Sequence, residues 1–300
     1  MKTIPLSPID HVFTGKGSYP IQFAFAYPRP INTGRLQDTL AETLQHFPPL
    51  RSRLVNISDH SFGFAPADDG PSFQVADSPV AFHESQDCSL FLDPVRTVEG
   101  EPLARIRLTH TPGGSVLGVS ISHAVADGFS FFHFLASWAR VFHGKDFLPP
   151  DHRRELLTPE LSTPVQPVSP DEVLSGSGLF RIGKRADTPR TQVEYDHINL
   201  SRETLDRLRA EAVQGRTVRL TDNDIVTAYL WKRYCPLWDR GNGTTYTSVP
   251  FDFRRALSGF PRTYFGSAVH LAVTSTDHDT LLNATLGELA LLVHKAIAGV

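Results

Sequence analysis

The sequence has 300 residues, of which 40% are hydrophobic and 20% charged, and its formal net charge is −3. This composition is typical of a globular protein with one large or two ordinary domains, and it excludes a disordered chain. The weakly acidic balance argues against nucleic-acid binding. No apolar run is long enough for a membrane span or a signal peptide, and the cysteines, Cys88 and Cys235, form no paired motif. We therefore expect a soluble cytoplasmic protein that binds neither nucleic acid nor membranes.

The first hundred residues alternate strand-like and helical patterns. Residues 19–28, YPIQFAFAYP, are rich in β-forming residues and predict a strand. Residues 32–50 predict a helix that ends at two prolines. Its apolar stripe consists of three leucines at intervals of four, Leu36, Leu40 and Leu44. The turn-rich stretch 63–79 predicts a loop with short strands.

A buried strand followed by a buried helix is predicted next. Residues 115–122, SVLGVSIS, form a short β-type run, and 127–144 predict a helix that stops at Gly144. We expect this helix to be buried on most sides, because apolar residues occupy nearly every face. The apolar positions at helical spacing are Phe129, Phe132, Leu135, Ala136, Ala139 and Phe142.

A proline-rich stretch from 147 to about 190 separates the two halves and predicts a linker. The predicted organisation is an N-terminal domain at 1–146, a crossover linker at 147–190 and a partial C-terminal domain at 191–300. The elements expected beyond the linker are strands at 191–200, 244–253 and 265–274, a helix capped by Ser201, a helix with a Thr221–Asp224 capping box, and one final helix at 279–300.

The chain has no phosphate-binding loop, zinc-binding helix, nucleophile elbow or dinucleotide fingerprint, and we predict no metal site. What remains is an H-x-x-x-D pair, His123 and Asp127. Its spacing is uninformative by itself, because His83 and Asp87 repeat it and chance gives about one match. Its setting differs, because His123 lies between a buried strand and a buried helix, where scaffolds commonly display functional side chains. His83 lacks this setting and is predicted to lie on the surface.

The residue types at 123–128 permit acid–base chemistry. A neutral imidazole near physiological pH can accept a proton from a hydroxyl or an amine that attacks a carbonyl. Asp127 could fix the geometry or tautomer of His123, and Gly128 allows an unusual backbone angle or a close approach of another segment. The alternative is a helix-start histidine with an i, i+4 salt partner. The residues alone leave both interpretations open.

The stretch SHAVADGFSFFHFLASWA resembles the H-x-x-x-D-G signature of the BAHD family of acyl-CoA-dependent acyltransferases. Four other stretches resemble the family in the same order: LSPIDHVF, LAETLQHFPPLRSRL, NDIVTAYLWK and VPFDFRRAL…YFGSAVHLAV. The resemblance implies an α/β, chloramphenicol-acetyltransferase-like two-domain fold, with mixed β-sheets flanked by helices. It also implies acyl transfer from acyl-CoA, as co-substrate rather than bound cofactor, to a small-molecule alcohol or amine.

The resemblance also implies roles for individual residues. His123 becomes the general base of the catalytic pair, and Asp127 is mainly a structural partner that turns away from the substrate. Arg254, in DFR, becomes the ion-pair partner of Asp127, and Gly128 fits the tight turn between strand and helix. Residues that bind CoA are not identified. Three large aromatics, Trp231, Phe251 and Tyr264, are expected in the core rather than at the substrate.

Two departures from the family pattern keep alternatives open. The D-F-G-W-G signature is absent, so we expect an incomplete second domain, with a second chain as one possible source of the missing half. Ser267 stands where the family usually has Asn. The first alternative to the acyltransferase is a catalytically inactive relative that binds ligands or partners. The second is a condensation-type enzyme using carrier-protein thioesters, although Ser122 replaces the first histidine of its usual paired motif.

Overall fold

The computed structural model describes residues 3–14, 18–58, 61–83, 87–157, 198–215, 217–238 and 243–299. The chain divides into two compact units, the first comprising Met1–Ser162 with Asp252–Val269, and the second Thr163–Phe251 with His270–Val300. The stretch that carries DFR and YFG thus belongs to the same unit as His123. Residues 158–197, which include most of the predicted linker and the first seven residues of the strand expected at 191–200, lie outside the described part, and residues 198–200 are not in a strand. The three-part division therefore stays a prediction.

Two β-sheets form the framework of the first unit. Their strands are β1 (Ile4–Pro5), β2 (Ile21–Tyr27), β3 (Ser52–Ser58), β4 (Ser61–Pro66), β5 (Ser72–Asp77), β6 (Ala104–Thr111) and β7 (Gly114–Ile121). The smaller sheet has the order β1-β4-β3 and is antiparallel. The larger sheet has the order β2-β7-β6-β5, in which β5 and β6 are parallel and the other neighbours antiparallel. The mixed sheet predicted from the resemblance is confirmed.

Strand β7 is central in the larger sheet and every one of its residues is buried. It pairs with β2 along one side and β6 along the other, so its backbone hydrogen bonds are satisfied within the sheet. Gly118 has a steric reason to be glycine, because a Cβ there would collide with the Phe91 carbonyl group. A rigid strand of this kind fixes the position of the residues that leave its C-terminal end.

Among the described residues of the first unit, three α-helices accompany the sheets: α1 (Pro8–His11), α2 (Thr33–Leu44) and α3 (Gly128–Phe142). The leucine stripe predicted for α2 is confirmed, since its members are each 5% exposed and α2 packs on α3. The expectation that α3 is buried on most sides is wrong, because one side of the helix is buried and the other is exposed. Its buried positions are Ser130, Phe131, Phe134, Ser137, Trp138 and Val141.

The sequence did not identify the buried side of α3, because the helix is apolar nearly all round and hydrophobicity alone does not favour one side over another. Phe129 and Phe132, two of the apolar positions at helical spacing, are 40% and 47% exposed. Two small polar residues, Ser130 and Ser137, are buried in their place. The helix ends at Phe142, close to the predicted Gly144, whose φ of +64° is the left-handed conformation that favours glycine.

The second unit has its own apolar core, built by helices α4 (Arg202–Val213), α5 (Asp222–Trp238), α6 (His278–Asn283) and α7 (Leu286–Ala298). Strands β8 (Thr244–Asp252) and β9 (Val269–Asp277) pair with each other. The caps predicted at Ser201 and at Thr221–Asp224 are confirmed. Short 3₁₀ helices occur at Pro48–Arg51, Cys88–Phe91, Arg154–Leu157 and Phe253–Arg255.

The single final helix predicted at 279–300 is wrong, because two helices occupy this stretch. Ala284 has an extended ψ of 147° and ends α6. Thr285 then forms a capping box with Glu288 and starts α7. Within the described residues, no helix is both long and apolar enough to cross a membrane.

Candidate active site

The loop that follows β7 carries the H-x-x-x-D pair. Ser122 leaves the strand with its N–H donating to the Leu103 carbonyl (2.9 Å), and its carbonyl accepts from Val125 N–H (3.2 Å). The alanines at 124 and 126 and Val125 are completely buried. The loop is thus a tight, buried connection in which only His123 is partly exposed.

The imidazole of His123 lies against an aromatic ring. Phe13 stacks on it with the ring centroids 3.7 Å apart and an angle of 12° between the planes, and Tyr19 approaches edge-on at 6.5 Å. The Nδ1 atom is shielded from solvent. Burial lowers the pKa of His123 below its ordinary 6.5, opposed by its own backbone carbonyl and by the carboxylates of Asp127 and Asp10. A neutral ring is therefore favoured near pH 7.

Asp127 is 1% exposed and its carboxylate is fully occupied by donors. It caps α3 by accepting from Ser130 N–H (2.9 Å), and it accepts from Ala268 N–H (2.9 Å). Two guanidinium nitrogens of Arg254 donate to its two oxygens, at 2.7 and 3.0 Å. This bidentate geometry is the strong form of a charge-assisted pair.

Arg254 is itself 1% exposed and uses its remaining donors on nearby groups. Its guanidinium donates to the carbonyls of Tyr264 (3.0 Å) and Gly266 (2.9 Å), to the Ser130 hydroxyl (3.0 Å) and to the Asp252 carboxylate (2.9 Å). A buried charge pair is tolerated only when such bonds satisfy both partners. The pair therefore fastens the start of α3 to residues 252–268 of the same unit.

The Asp127–Arg254 pairing expected from the resemblance is present, and none of the contacts described for Asp127 is a hydrogen bond to the imidazole of His123. The reason given for Gly128 is wrong. Its φ is not positive, and a Cβ at that position would meet no heavy atom within 4 Å. Gly128 is simply the first residue of α3. Of the three aromatics expected in the core, Trp231 is 6% exposed and Tyr264 fully buried, while Phe251 is only partly buried.

Two further charged residues lie next to this loop and were not assigned from sequence. Arg154 is 4% exposed, and its Nε lies 2.9 Å from a carboxylate oxygen of the fully buried Asp10. Asp10 belongs to the LSPID stretch, so its motif was the available signal. Arg154 lies inside the stretch predicted to be a linker, where no pattern distinguished it.

The other H-x-x-x-D pair has none of these contacts. His83 and Asp87 are both exposed. The Asp87 carboxylate accepts from the backbone N–H and hydroxyl of Ser89, at 2.9 and 2.7 Å, and these bonds lower its pKa. Asp87 therefore caps a short surface turn.

A groove of about 890 Å³ lies beside α3 in the first unit. Its walls combine apolar side chains with an excess of arginine over carboxylate. Those that matter for charge are Arg140, Arg254, Arg255, Arg262, Asp146 and Asp252. Arg255 and Arg262 are exposed and have no ion-pair partner among the residues that the structure describes. Within the same described part, no group of three or more metal-binding side chains occurs.

Solved structures with this fold were found by comparison. The chain matches the Fusarium graminearum TRI101 complexed with coenzyme A and T-2 mycotoxin with a TM-score of 0.73, at 16% identity, over 98% of this chain and 74% of that one. It matches vinorine synthase with a TM-score of 0.67, at 18% identity, over 99% of this chain and 71% of that one. These likenesses confirm the predicted chloramphenicol-acetyltransferase-like fold.

The family model described as "Transferase family" matches residues 1–300, and the chain therefore belongs to that family, the BAHD acyltransferases. It is 28% identical to a hydroxycinnamoyl-CoA:5-hydroxyanthranilate N-hydroxycinnamoyltransferase of Avena sativa, over 80% of this chain and 59% of the relative. It is 24% identical to a shikimate O-hydroxycinnamoyltransferase of Nicotiana tabacum, over 88% and 64%. The chain spans about three fifths of the length of the curated relatives it matches.

Proposed function

We propose that this protein transfers an acyl group from acyl-CoA to a hydroxyl or amine group of a small-molecule acceptor. The observation that carries the proposal is the imidazole of His123, which is half-buried, favours the neutral form and sits at the end of a fully buried strand. Family membership supports it, because the names of the relatives describe hydroxycinnamoyl transfer to nitrogen in one case and to oxygen in another.

His123 acts as the general base. Its Nδ1 is shielded from solvent, so Nε2 accepts the proton as the acceptor oxygen or nitrogen attacks the thioester carbonyl carbon. A tetrahedral oxyanion forms, and the C–S bond then breaks. The departing CoA thiolate takes the proton from the imidazolium, which leaves an ester or amide, free CoA and a neutral His123. No covalent bond to the enzyme forms at any step.

Asp127 contributes by holding the loop rather than by moving protons. Its oxygens are occupied by Arg254, Ser130 N–H and Ala268 N–H, so protonation of this carboxylate would break an established set of bonds. We assign it and Arg254 to the support of the site. Gly128 has no chemical part.

The groove beside α3 is a candidate docking place for the phosphate groups of the donor. CoA is a polyanion, and Arg255 and Arg262 offer exposed guanidinium groups suited to phosphate oxygens. Phe129 and Leu148, which are 40% and 73% exposed, add apolar surface to the same groove.

The test measures acceptor-dependent release of free thiol from hydroxycinnamoyl-CoA and acetyl-CoA, with shikimate and an aromatic amine as trial acceptors. We expect His123→Gln to lower kcat by about 100-fold or more, the usual contribution of a general base. The matched control is His83→Gln, which removes the exposed histidine of the other H-x-x-x-D pair. Equal turnover in His123→Gln and the unaltered protein would exclude this mechanism. No turnover with any donor in the unaltered protein would favour an inactive ligand-binding relative.

A further inference from the structure

A second buried ion pair lies close to His123. The Nε of Arg154 is 2.9 Å from Oδ2 of Asp10, and the two side chains are 5% and 0% exposed. The Arg154 guanidinium also packs over the rings of Phe64 and Tyr264, at 5.7 and 5.4 Å from their centroids. Two charges are removed from water at considerable cost, and the surrounding hydrogen bonds must offset it. The partners of these hydrogen bonds identify the segments that the ion pair connects.

The bonds of this pair join three separate segments of the chain. Asp10 accepts from the N–H of Ser7 (3.0 Å), the N-cap of α1, and from the N–H of Ser267 (3.1 Å). Arg154 donates to the carbonyl of Val125 (3.2 Å), two residues after His123, and to the carbonyl of Phe265. The pair thus fastens the N-terminal segment and residues 265–267 to the loop after β7.

The same segments contact His123 itself. The Ser267 hydroxyl donates to the His123 carbonyl at 3.1 Å. Phe13, whose N–H donates to the Asp10 carbonyl (3.1 Å), stacks on the imidazole at 3.7 Å. His123 is therefore held at its backbone by one partner of Asp10 and at its ring by another.

The glycine of YFG is explained by this arrangement. A Cβ on Gly266 would lie 2.5 Å from a terminal nitrogen of Arg154 and 2.9 Å from the Tyr264 ring. The missing side chain leaves the space that the Arg154 guanidinium occupies. Two motifs that are distant in sequence, LSPID and YFG, thus converge on one arginine.

We propose that Asp10 and Arg154 are positioning residues, which set the location of the His123 imidazole through Ser267 and Phe13. The expected effect of these two residues on catalysis rests on the proposed function, whereas their effect on the position of the imidazole ring does not. Loss of the Asp10 charge frees Ser267 and the start of the chain, and the ring loses its stacking partner. The reaction should then slow while substrate binding changes little.

The experiment follows the ring protons of His123 by NMR in the full chain labelled with ¹³C-histidine, with His123→Gln identifying the signal. Stacked on Phe13, these protons are shielded by its ring current. We expect Asp10→Asn and Ser267→Ala to move the signal towards that of an unstacked histidine. In the thiol-release assay, we expect kcat to fall about tenfold or more, with KM for donor and acceptor changed less than about threefold, as for a misplaced catalytic group.

The matched control is Asp224→Asn in the second unit. Asp224 is also a buried capping-box aspartate, 1% exposed, and it accepts from Thr221 N–H (2.8 Å) and contacts Nδ1 of His294 (3.0 Å). We expect it to lose stability as Asp10→Asn does, but to leave the His123 signal and kcat unchanged. A general effect of lost stability would appear in both variants.

The outcomes separate the two proposals. An unmoved His123 signal in folded Asp10→Asn and Ser267→Ala overturns the positioning role, whatever the activity. A moved signal in a protein that shows no turnover supports positioning and counts against the proposed function. If Asp10→Asn does not fold, Ser267→Ala tests the link through which the pair acts, because it removes only the hydroxyl that donates to the His123 carbonyl, and an unmoved His123 signal in this variant overturns the positioning role.

Discussion

The chain contains the same spacing of histidine and aspartate twice, and the two pairs differ in burial and in the partners that surround them. Asp127 is buried and accepts from four donors, whereas Asp87 is exposed and caps a surface turn through Ser89. His123 is packed against Phe13, whereas His83 is exposed. The four-residue spacing therefore carries no functional information until the strand, the helix and the distant Arg254 are considered with it.

Of the changes that test this contrast, removal of the Arg254 guanidinium should have the largest effect on stability. Arg254→Met leaves Asp127 buried without its main partner, and we expect the free energy of unfolding to fall by about 3–5 kcal/mol. Urea denaturation measures the loss. Arg53→Met is the matched control, because it breaks a pair with Asp69 that solvent reaches, with side chains 30% and 65% exposed, and it should cost less than about 1 kcal/mol. Equal losses in the two variants would show that the buried pair contributes no more to stability than the pair at Arg53.

The same substitution in both pairs should give a smaller, more selective difference. Asp127→Asn places an amide N–H₂ where donors already converge, and we expect a loss of about 2–3 kcal/mol. Asp87→Asn should leave the urea midpoint unchanged, because Asn caps a helical turn as well as Asp does. Thermal and urea unfolding of both variants test this, and a matching loss at Asp87 would contradict the contrast.

The smallest expected effect is the loss of stability at acidic pH. Burial lowers the pKa of His123 below 6.5 in the folded chain, and it also lowers the pKa of His133 and of His152. The unfolded chain then binds these protons more readily, so stability is full above about pH 6.5 and is lost as pH falls through the folded-state pKa values.

Unfolding curves at pH 7.5 and 5.5 measure this loss, and His123→Gln should reduce it while the exposed His83→Gln should not. By the same shift, the acid limb of kcat/KM should lie below pH 6.5. An acid limb well above 6.5, or equal effects of the two substitutions, would contradict the assignment of His123 as a desolvated base.

Much of the fold could be predicted from sequence, because local signals and ordered motifs agree. Strand β2, helix α2 and the caps at Ser201 and Thr221 follow from residue pattern alone. The Asp127–Arg254 pair required the resemblance, since 127 residues separate its members. The buried face of α3 was missed because nearly every side of that helix is apolar. The break at Ala284 was missed because Thr285 and Glu288 were read as helix interior rather than as a cap.

The rest of the site could not be predicted, because its contacts are non-local. Arg154 lies in a proline-rich stretch with no periodic pattern, and only the folded chain places it beside Asp10. Gly128 and Gly266 both show that sequence alone does not reveal why a position is glycine. The first was given a steric reason that the structure does not support, and the second has one that depends on a residue 112 positions away, at Arg154.

The first unit is discontinuous along the chain, and this has a consequence for its synthesis. Asp127 meets its partner N–H only when Ala268, 141 residues later, has been made. At roughly 5–20 residues per second, a ribosome needs about 7–28 s to supply it. Until Arg254, 127 residues later, and then Ala268 have been made, the Asp127 carboxylate of the new N-terminal segment lacks its cation or part of its set of donors. The loop of His123 can therefore reach its final conformation only late in translation. We expect chaperones to protect the nascent chain until then.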